Sequence, residues 1–490
     1  MSGLIAERAS YVAGQWASDG KAFEVENPAD ETSVCEVLGA ASTDGERAIL
    51  AARESFDTGA WAGLPRAERA RIVSAVCDHI ESRHDELVAT MIAEAGQPAR
   101  FADGSQFTGG LGLARGLIDI YSSMSDEQIN QIPLDEVTAG KVLLSVRRYE
   151  PIGVVAAITP YNAALIMAFQ KVIPALLAGN SVVLRPSPLT PISSLVFGAA
   201  AEAAGIPAGV LNVVIEEGSD AATMLTTHPA VDMVSFTGST AVGKRILAQS
   251  ATTVKHVALE LGGKSAQIYF ADAIEKAAVG AAAVVAMTSG QACVAATRML
   301  VPEESKADVL AAVSGMYGAL PVGAPTDPAT MIGPVISAAQ RARCETYVEL
   351  AQEHGGKVVT GGGRPAVLDR GYYFEPTVLD LPDNSNPAAQ DEIFGPVLSV
   401  IGYRDIDHAV EMANDSPFGL SAQVYSADVA AATAVARRLR TGAVNVNAGM
   451  FSAYAPGGGY KESGLGRERG TDGVRAFQEL KHMTIGEIAR

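Results

Sequence analysis

One cysteine and one glutamate stand in segments where covalent chemistry could occur. Cys293 ends a run of small residues, 289–293 (Ser-Gly-Gln-Ala-Cys), and Glu260 lies in an apolar, glycine-rich run, 259–263 (Leu-Glu-Leu-Gly-Gly). A thiol among small side chains can be approached by a carbonyl carbon, and a carboxylate from another segment can activate the water that hydrolyses a thioester. The pair therefore favours covalent chemistry on an aldehyde.

A cysteine considered alone predicts much less, because most free cysteines pack as small buried hydrophobic residues. Cys35, Cys77 and Cys344 are interpreted in this way. A glutamate is likewise usually a solvated surface residue. Burial among the apolar neighbours of Glu260 would instead raise its pKa towards that of a working base.

Six segments, in order along nearly the whole chain, give these two residues a context. The segments are Asn27-Pro28-Ala29, Thr159-Pro160-Tyr161-Asn162, Phe236-Thr237-Gly238-Ser239-Thr240, Glu260-Leu261-Gly262-Gly263-Lys264, Glu392-Ile393-Phe394-Gly395-Pro396 and Gly459-Tyr460-Lys461-Glu462-Ser463-Gly464. Together they resemble the NAD(P)-dependent aldehyde dehydrogenases.

The composition limits the classes of protein to which this chain can belong. A chain of 490 residues exceeds the size at which single cores stop growing, so more than one domain is expected. A net charge of −18 argues against binding to nucleic acid or to an anionic membrane surface, since both require basic residues. Four cysteines without paired spacing fit a reducing compartment, and the N-terminus lacks the pattern of a secretory signal. We expect a cytoplasmic protein without a membrane partner.

The seven histidines are scattered and form no HxxxH or CxxC-like pattern, so no metal site is predicted.

Short apolar runs alternate with helix-length segments from residue 153 onward, which is typical of parallel sheets covered on both faces. The predicted strands are 154–158, 181–184, 210–214 and 233–236 in a first set, and 266–270, 299–301, 397–400 and 422–425 in a second. We therefore predict an α/β fold with two Rossmann-like open-sheet domains, for cofactor and catalysis, and a small β flap.

The predicted domain boundaries follow from these sets. Residues 1–127 and 151–259 are assigned to NAD(P) binding and residues 260–477 to the catalytic domain. Residues 128–150 and 478–490 look like strands outside either core, and the family resemblance makes them an oligomerisation element. A homodimer or a homotetramer is expected.

The resemblance also implies catalytic roles. Cys293 is the nucleophile, and Glu260 activates the hydrolytic water. The Asn162 amide and the backbone N–H of the nucleophile stabilise the oxyanion. Lys171 and Glu468 match positions that relay protons.

The cofactor site lacks the usual Gly-x-Gly-x-x-Gly pattern after a strand. The run 236–243 instead follows a predicted strand and opens a predicted helix, where backbone amides and the Ser239 hydroxyl can meet a pyrophosphate. The resemblance assigns Glu392 to the nicotinamide ribose and Phe394 to the ring. The predicted cofactor residues are Ile158, Thr159, Pro160, Tyr161, Arg185, Ser187, Gly218, Phe236, Thr237, Gly238, Ser239, Val242, Leu261, Gly262, Glu392 and Phe394.

Cofactor choice depends on a departure from the family pattern. Arg185 stands where a lysine is usual, and Pro188 stands where a glutamate is frequent. Losing that carboxylate removes a group that repels a 2′-phosphate, and a guanidinium can bind one. NAD is expected from family prevalence, with NADP as the alternative.

The predicted aldehyde pocket lacks aromatic rings that relatives carry. Ala163, Gln170 and Gly457 stand at ring positions, and the helix expected along the entrance contains Gly109, Gly110, Gly112 and Gly116. Removing rings frees space unless neighbours fill it. We therefore predict a wide tunnel for a bulky aromatic, terpenoid or long-chain aldehyde, unless Phe451, Tyr454 or Met167 repacks into the gap. The predicted substrate residues are Ala163, Met167, Gln170, Ala292, Val294, Phe451 and Gly457.

Two other functions compete with hydrolytic aldehyde oxidation. A CoA-acylating semialdehyde dehydrogenase would transfer the acyl group to CoA, but such relatives generally lack the glutamate that Glu260 supplies. A catalytically silent scaffold of the same fold is disfavoured because Cys293, Asn162 and Glu260 are all present.

Overall fold

The computed structural model describes residues 3–131, 142–448 and 452–486. The α-helices within these ranges are α1 (Ser42–Asp57), α2 (Arg66–Ser82), α3 (His84–Ala95), α4 (Ala99–Phe101), α5 (Gly109–Ser123), α6 (Ala164–Ala178), α7 (Val196–Ala204), α8 (Asp220–Thr227), α9 (Thr240–Ser250), α10 (Ala277–Ala286), α11 (Lys306–Gly318), α12 (Ala338–Glu353), α13 (Pro387–Gln390), α14 (Ile406–Asn414), α15 (Val429–Ala436) and α16 (Gly470–Arg475). A π-helical segment, Ala102–Thr108, joins α4 to α5.

The strands in the same ranges are β1 (Tyr11–Val12), β2 (Gln15–Trp16), β3 (Ala22–Asn27), β4 (Thr32–Leu38), β5 (Glu127–Ile129), β6 (Val142–Pro151), β7 (Val154–Ile158), β8 (Ser181–Arg185), β9 (Leu211–Val213), β10 (Met233–Thr237), β11 (His256–Glu260), β12 (Ala266–Tyr269), β13 (Arg298–Pro302), β14 (Lys357–Thr360), β15 (Thr377–Asp380), β16 (Val397–Tyr403), β17 (Phe418–Gly419), β18 (Ser421–Tyr425), β19 (Ala443–Val446), β20 (Tyr460–Lys461), β21 (Gly464–Leu465) and β22 (Gln478–Gly486).

The first large sheet has the order β2-β1-β9-β8-β7-β10-β11-β21. The strands from β9 to β11 are parallel to their neighbours, and the strands at both edges are antiparallel. Val155 and Leu184 pack into one hydrophobic cluster, while Val154 and Val183 pack into another. Because successive side chains of a strand point to opposite faces, this division means that both faces of the sheet are covered.

The second large sheet has the order β14-β15-β16-β13-β12-β18-β19. Only the edge pair β14 and β15 is antiparallel. Ile268 and Leu300 pack into one cluster, and Met299 and Val301 pack into another, so this sheet is also buried on both faces. All eight predicted strands are confirmed, although β9 and β12 are shorter than predicted. The predicted α/β class with two open, mainly parallel sheets is therefore confirmed.

A third sheet, in the order β22-β6-β5, is antiparallel and lies apart from both cores. It contains the described parts of the predicted oligomerisation element. Residues 132–141 and 487–490 of that element lie outside the described residues. β21 comes from within the range assigned to the catalytic domain, yet it pairs with β11 of the first sheet. This strand links the two halves of the chain beside Glu260.

No helix within the described ranges is long and apolar enough to cross a membrane. Among the same residues, no group of three or more His, Cys, Asp or Glu side chains is arranged to hold a metal ion.

Candidate active site

Cys293 lies on an irregular loop between α10 and β13, and the backbone of that loop is tightly held. Thr288, Ser289 and Gly290 all have positive φ, at 44°, 56° and 74°. A Cβ on Gly290 would overlap the carbonyl oxygen of Gly395, so only glycine fits this turn. The Ser289 hydroxyl donates to the carbonyl of Gly333 at 2.9 Å. These restraints fix where the thiol stands.

The surroundings of Cys293 disfavour its thiolate. Burial, with the carboxylates of Glu392 and Glu260 nearby, raises the pKa of Cys293 to about 12. The residue nevertheless keeps partial exposure, unlike the fully buried Cys77 and Cys344. Partial exposure of the residue fits the role of a nucleophile, which a reactant has to reach.

Asn162 is joined directly to the cysteine loop. Its side-chain Nδ2 donates to the backbone carbonyl of Gln291 at 2.7 Å, two residues before Cys293. The carbonyl of Asn162 accepts a hydrogen bond from Gln97 Nε2 at 2.8 Å, a contact that the sequence did not indicate. An amide nitrogen carries two hydrogens, so Asn162 retains a second donor at the cysteine loop.

Glu260 ends β11, between Thr237 of β10 and Gly464 of β21. Within the described residues, its buried Oε1 has no hydrogen-bond partner. A Cβ on Gly458 would lie 2.7 Å from the same oxygen, so the glycine leaves room for the carboxylate. Burial, with the Glu468 carboxylate, raises the pKa of Glu260 to about 8, against the opposing charge of Lys171.

Lys171 and Glu468 form a buried ion pair behind Glu260. The Nζ of Lys171 lies 2.6 Å from Oε1 of Glu468 and 3.2 Å from the hydroxyl of Ser235. Lys171 projects from α6, and Glu468 is tied to Gly457 by two backbone hydrogen bonds of 2.8 and 2.9 Å. The structure thus brings all five predicted catalytic residues into one region.

The predicted cofactor residues lie at the carboxyl ends of parallel strands. Ile158 pairs with Arg185 and with Phe236, so these three residues lie at or next to the ends of neighbouring strands of the first sheet. Thr159, Pro160 and Tyr161 continue the chain from Ile158. Ligands of open parallel sheets bind in the crevice at this edge.

The N-terminus of α9 opens on the same edge. Ser239 caps the helix by accepting a hydrogen bond from the backbone N–H of Val242 at 3.4 Å. Gly238 donates its N–H to the carbonyl of Glu260 at 3.0 Å, which joins this turn to the catalytic strand. A Cβ on Gly243 would lie 2.6 Å from Leu261, so the helix packs closely on residues 261–262. The exposed first turn of an 11-residue helix suits a pyrophosphate.

Glu392 and Phe394 approach this crevice from the other half of the chain. Oε1 of Glu392 accepts a hydrogen bond from the N–H of Gly263 at 3.0 Å, and a Cβ on Gly262 would lie 2.5 Å from its other oxygen. Burial raises the pKa of Glu392 to about 7. The Phe394 ring meets Tyr161 edge to face, with centroids 6.0 Å apart. A carboxylate beside two glycines, which have no side chains, can accept hydrogen bonds from the hydroxyl groups of a ribose.

Arg185 is engaged within the protein, which corrects the expectation that its guanidinium is available for a 2′-phosphate. Its Nε lies 2.9 Å from Oε1 of Glu216, and its Nη2 donates to the carbonyl of Gly218 at 2.6 Å. The Glu216 carboxylate also accepts hydrogen bonds from the N–H groups of Ala221 and Ala222. Glu216 therefore neutralises the arginine, a partner that the sequence analysis missed. Ser187 accepts a hydrogen bond from Leu189 at 3.3 Å.

The predicted substrate residues flank the same region. Ala163, Met167 and Gln170 belong to the start and first half of α6, and Ala292 and Val294 flank Cys293. Phe451 lies outside the described residues.

Two of the spaces freed by small residues are filled. A Cβ on Gly116 would lie 2.5 Å from that of Ala453, and a Cβ on Gly457 would overlap Nη2 of Arg469. The sequence analysis predicted a wide tunnel, with refilling by Phe451, Tyr454 or Met167 as the alternative. It missed Arg469, which stands directly after Glu468. The space at Gly457 is thus smaller than the glycine alone indicates.

Comparison with known proteins gives a consistent result. The profile of the aldehyde dehydrogenase family matches residues 16–483. Geranial dehydrogenase of Castellaniella defragrans is 38% identical over 97% of this chain and 98% of its own length. The 3-succinoylsemialdehyde-pyridine dehydrogenase of a Pseudomonas species is 37% identical over 97% of this chain and 98% of its own.

Solved structures agree with the sequence relatives. Betaine aldehyde dehydrogenase of Staphylococcus aureus, in complex with NAD+, superposes with a TM-score of 0.93 at 33% identity, covering 98% of this chain and 94% of that chain. A mutant of aldehyde dehydrogenase C from Pseudomonas syringae, with NAD+ and octanal, gives 0.92 at 36% identity, covering 97% and 96%. The chain belongs to the aldehyde dehydrogenase family.

Proposed function

We propose that this enzyme oxidises an aldehyde to the carboxylic acid with NAD+ and water, through a thioester on Cys293. One observation carries the proposal. The thiol of the partly exposed Cys293, the Asn162 amide and the raised-pKa carboxylate of Glu260 lie close together, although they come from three separate segments. These are the nucleophile, oxyanion donor and base of acyl transfer.

The first step is attack of Cys293 on the carbonyl carbon. Because burial raises the pKa of Cys293 to about 12, its proton has to pass to a base as the S–C bond forms. The nearby Glu260 carboxylate accepts this proton and releases it towards the Glu468–Lys171 pair before hydrolysis begins. The second N–H of Asn162 and the backbone N–H of Cys293 receive the oxygen, which becomes the oxyanion of a thiohemiacetal. One such donor is typically worth about 3 kcal/mol.

NAD+, when bound, supplies the hydride acceptor that converts this adduct to a thioester. The turn from Phe236 to Val242 would hold its pyrophosphate, and Glu392 would hold the ribose next to the nicotinamide. Arg185 and Gly218 lie where the adenine ribose would bind. NAD rather than NADP is favoured because Glu216 already pairs with Arg185 and adds a negative charge there.

The last step is hydrolysis of the thioester. Glu260 takes a proton from water as the oxygen attacks the acyl carbon, and Cys293 leaves as the thiolate. The proton then passes towards the Glu468–Lys171 pair, whose buried members lie behind Glu260. The presence of Glu260 favours water over CoA as the acyl acceptor.

The proposed substrate is a bulky aldehyde, aromatic, terpenoid or long-chain. The small side chains of Ala163 and Ala292 support this proposal, and so do relatives that are named for geranial or bound to octanal. Arg469 fills the space beside Gly457 and so limits the width of the proposed substrate tunnel there. We also propose the domain boundaries and cytoplasmic location given above, and assembly as a dimer or tetramer.

The test is absorbance at 340 nm with NAD+ and an aldehyde panel that includes acetaldehyde, benzaldehyde and citral. We expect reduction that needs no CoA and that disappears in Cys293→Ala, with higher kcat/KM for the larger aldehydes. Cys77→Ala is the matched control for loss of a buried thiol. Reduction that persists in Cys293→Ala would refute the mechanism, and a clear preference for acetaldehyde would refute the proposed substrate class.

A further inference from the structure

Gln97 lies on a short link between α3 and α4 whose backbone has little freedom. Gly96 ends α3 with a left-handed backbone, at φ 62°, and a Cβ on it would lie 2.6 Å from Cγ of Pro334. Pro98 disfavours a helical conformation of the residue before it. The backbone of Gln97 is therefore restrained from both sides, and its side chain is buried.

Two hydrogen bonds hold Asn162, one on its side chain and one on its backbone. Asn162 Nδ2 donates to the carbonyl of Gln291 at 2.7 Å, and the carbonyl of Asn162 accepts from Gln97 Nε2 at 2.8 Å. Asn162 lies before the N-cap of α6, outside the regular helix. The hydrogen bond from Gln97 therefore fixes a peptide plane that the helix itself does not fix.

The link that carries Gln97 also packs against the segment that holds the cysteine loop. A Cβ on Gly333 would lie 2.5 Å from the carbonyl oxygen of Gly96, so the two segments touch. The Gly333 carbonyl accepts from the Ser289 hydroxyl at 2.9 Å, and the N–H of Ile336 donates to Oε1 of Gln291 at 3.0 Å. One packed region thus supports both parts of the proposed oxyanion site.

Only half of the Gln97 amide has a partner within the ranges that the structure describes. Its Nε2 donates to Asn162, whereas its buried Oε1 has no hydrogen-bond partner there. Burying a polar atom without a partner costs stability, and an apolar side chain of the same shape would avoid that cost. Retention of an amide at this position is explained if its N–H serves the reaction.

We propose that Gln97 is a positioning residue for oxyanion stabilisation. By holding the backbone carbonyl of Asn162, it keeps the second side-chain N–H of that residue directed at the oxygen of the aldehyde adduct. The inference rests on the proposed aldehyde dehydrogenase activity and adds a residue that acts through Asn162 rather than on the substrate. Displacing a catalytic group by 1 Å costs about 100-fold in rate, so such a hold matters for catalysis.

The experiment measures the rate of the first turnover, as NADH formed in stopped flow with NAD+ and the best substrate of the aldehyde panel. Gln97→Met keeps the length of the side chain and removes the donor. We expect its limiting rate to fall by about 10- to 100-fold. The half-saturating aldehyde concentration and the dissociation constant of NAD+ should stay within about 2-fold of the wild type, because binding uses other groups.

The decisive comparison repeats the substitution without the Asn162 side-chain amide. In an Asn162→Ala background, Gln97→Met should lower the first-turnover rate by less than about 2-fold, because no amide is left to position. Gln97→Asn, which keeps a buried amide but is one methylene too short to reach the carbonyl, should behave in the same way. It serves as the second variant if Gln97→Met does not fold.

Gln267 provides a matched control. It is also buried, and its Nε2 donates to the backbone carbonyl of Ala296 at 2.6 Å. Gln267→Met therefore removes the same type of buried hydrogen bond without removing a contact of Asn162. Whatever this substitution costs, we expect the cost to be equal with and without the Asn162 amide.

Three results would overturn the inference. One is an unchanged first-turnover rate in both Gln97 variants. Another is an equal loss in the wild-type and Asn162→Ala backgrounds, which would assign Gln97 a purely structural role. The third is a higher half-saturating aldehyde concentration at an unchanged limiting rate, which would make Gln97 a substrate contact. Absence of NAD+ reduction by the wild type with every aldehyde would instead refute the proposed function itself.

Discussion

Burial raises the pKa of both central residues, and this favours the catalytic role of Glu260 but opposes that of Cys293. It raises the pKa of Glu260 to about 8, which makes its carboxylate a base strong enough to activate water. It also raises the pKa of Cys293 to about 12, which disfavours the thiolate. The Asn162 donor compensates by stabilising the charge that appears on oxygen when the sulfur attacks.

The pKa of Glu260 predicts the pH dependence of turnover. Its carboxylate accepts a proton only when ionised, so the active fraction increases as pH rises through about 8 and is lost as pH falls below it. When hydrolysis limits the rate, kcat should follow this curve. Glu260→Gln should lower kcat by about 10²- to 10⁴-fold and abolish that dependence. A Glu260→Gln variant that keeps the wild-type pH profile would exclude Glu260 as the base.

The Arg185–Glu216 pair predicts a change of cofactor preference. Glu216→Gln removes the negative charge but keeps a hydrogen-bond acceptor for the guanidinium, which then attracts a 2′-phosphate. We expect NADP+ to bind about 10-fold more tightly relative to NAD+, measured as dissociation constants by calorimetry. Glu217→Gln, at the exposed neighbouring position, is the control. An unchanged ratio of the two constants would show that Glu216 does not set the preference.

Among the structural elements, the loop before Cys293 has the strictest geometry. Gly290→Ala should destabilise the protein by about 1–3 kcal/mol, since φ is 74° and the added Cβ would overlap the carbonyl of Gly395. Gly315→Ala is the control, because Gly315 lies within α11 and no described atom is within 4 Å of its would-be Cβ. In denaturant unfolding, Gly290→Ala should be less stable than the wild type. Gly315→Ala should be as stable as the wild type or more stable. Equal stability of Gly290→Ala and wild type would refute the account of this loop.

Strands were predictable from the sequence because their apolar runs report local burial. The apolar runs at 154–158 and 181–184 correspond to β7 and β8 in the structure. The positions of Cys293 and Glu260 were recognised from short motifs. In contrast, the contacts of Arg469 with Gly457 and of Arg185 with Glu216 join segments through their tertiary arrangement. Neither periodicity nor a motif reports such a pairing, so the filled pocket and the neutralised arginine required the structure.

At the scale of the whole molecule, the third sheet carries exposed apolar side chains. Ile129, Leu480 and Ile485 are apolar and exposed on β5 and β22. Exposed apolar side chains on strands outside a core are typical of an interface with another subunit. This supports the proposed assembly as a dimer or tetramer.

Breaking that interface should change the oligomeric state. We expect Leu480→Glu with Ile485→Glu to yield a smaller species than the wild type in light scattering coupled to gel filtration, since charge is costly in a buried apolar contact. Val367→Glu, at a site that is 89% exposed outside this sheet, should leave the mass unchanged. A wild type that is already monomeric, or a double variant with the wild-type mass, would contradict the assignment of this sheet to assembly.

The most direct test of the mechanism is intact-mass spectrometry of Glu260→Gln after mixing with an oxidisable aldehyde and NAD+. If Cys293 forms a thioester that Glu260 hydrolyses, this variant accumulates one acyl group, and peptide mapping locates it on Cys293. Cys293→Ala with Glu260→Gln should remain unmodified. An unmodified Glu260→Gln protein that still reduces NAD+, or an acyl group on another residue, would contradict the proposed covalent mechanism.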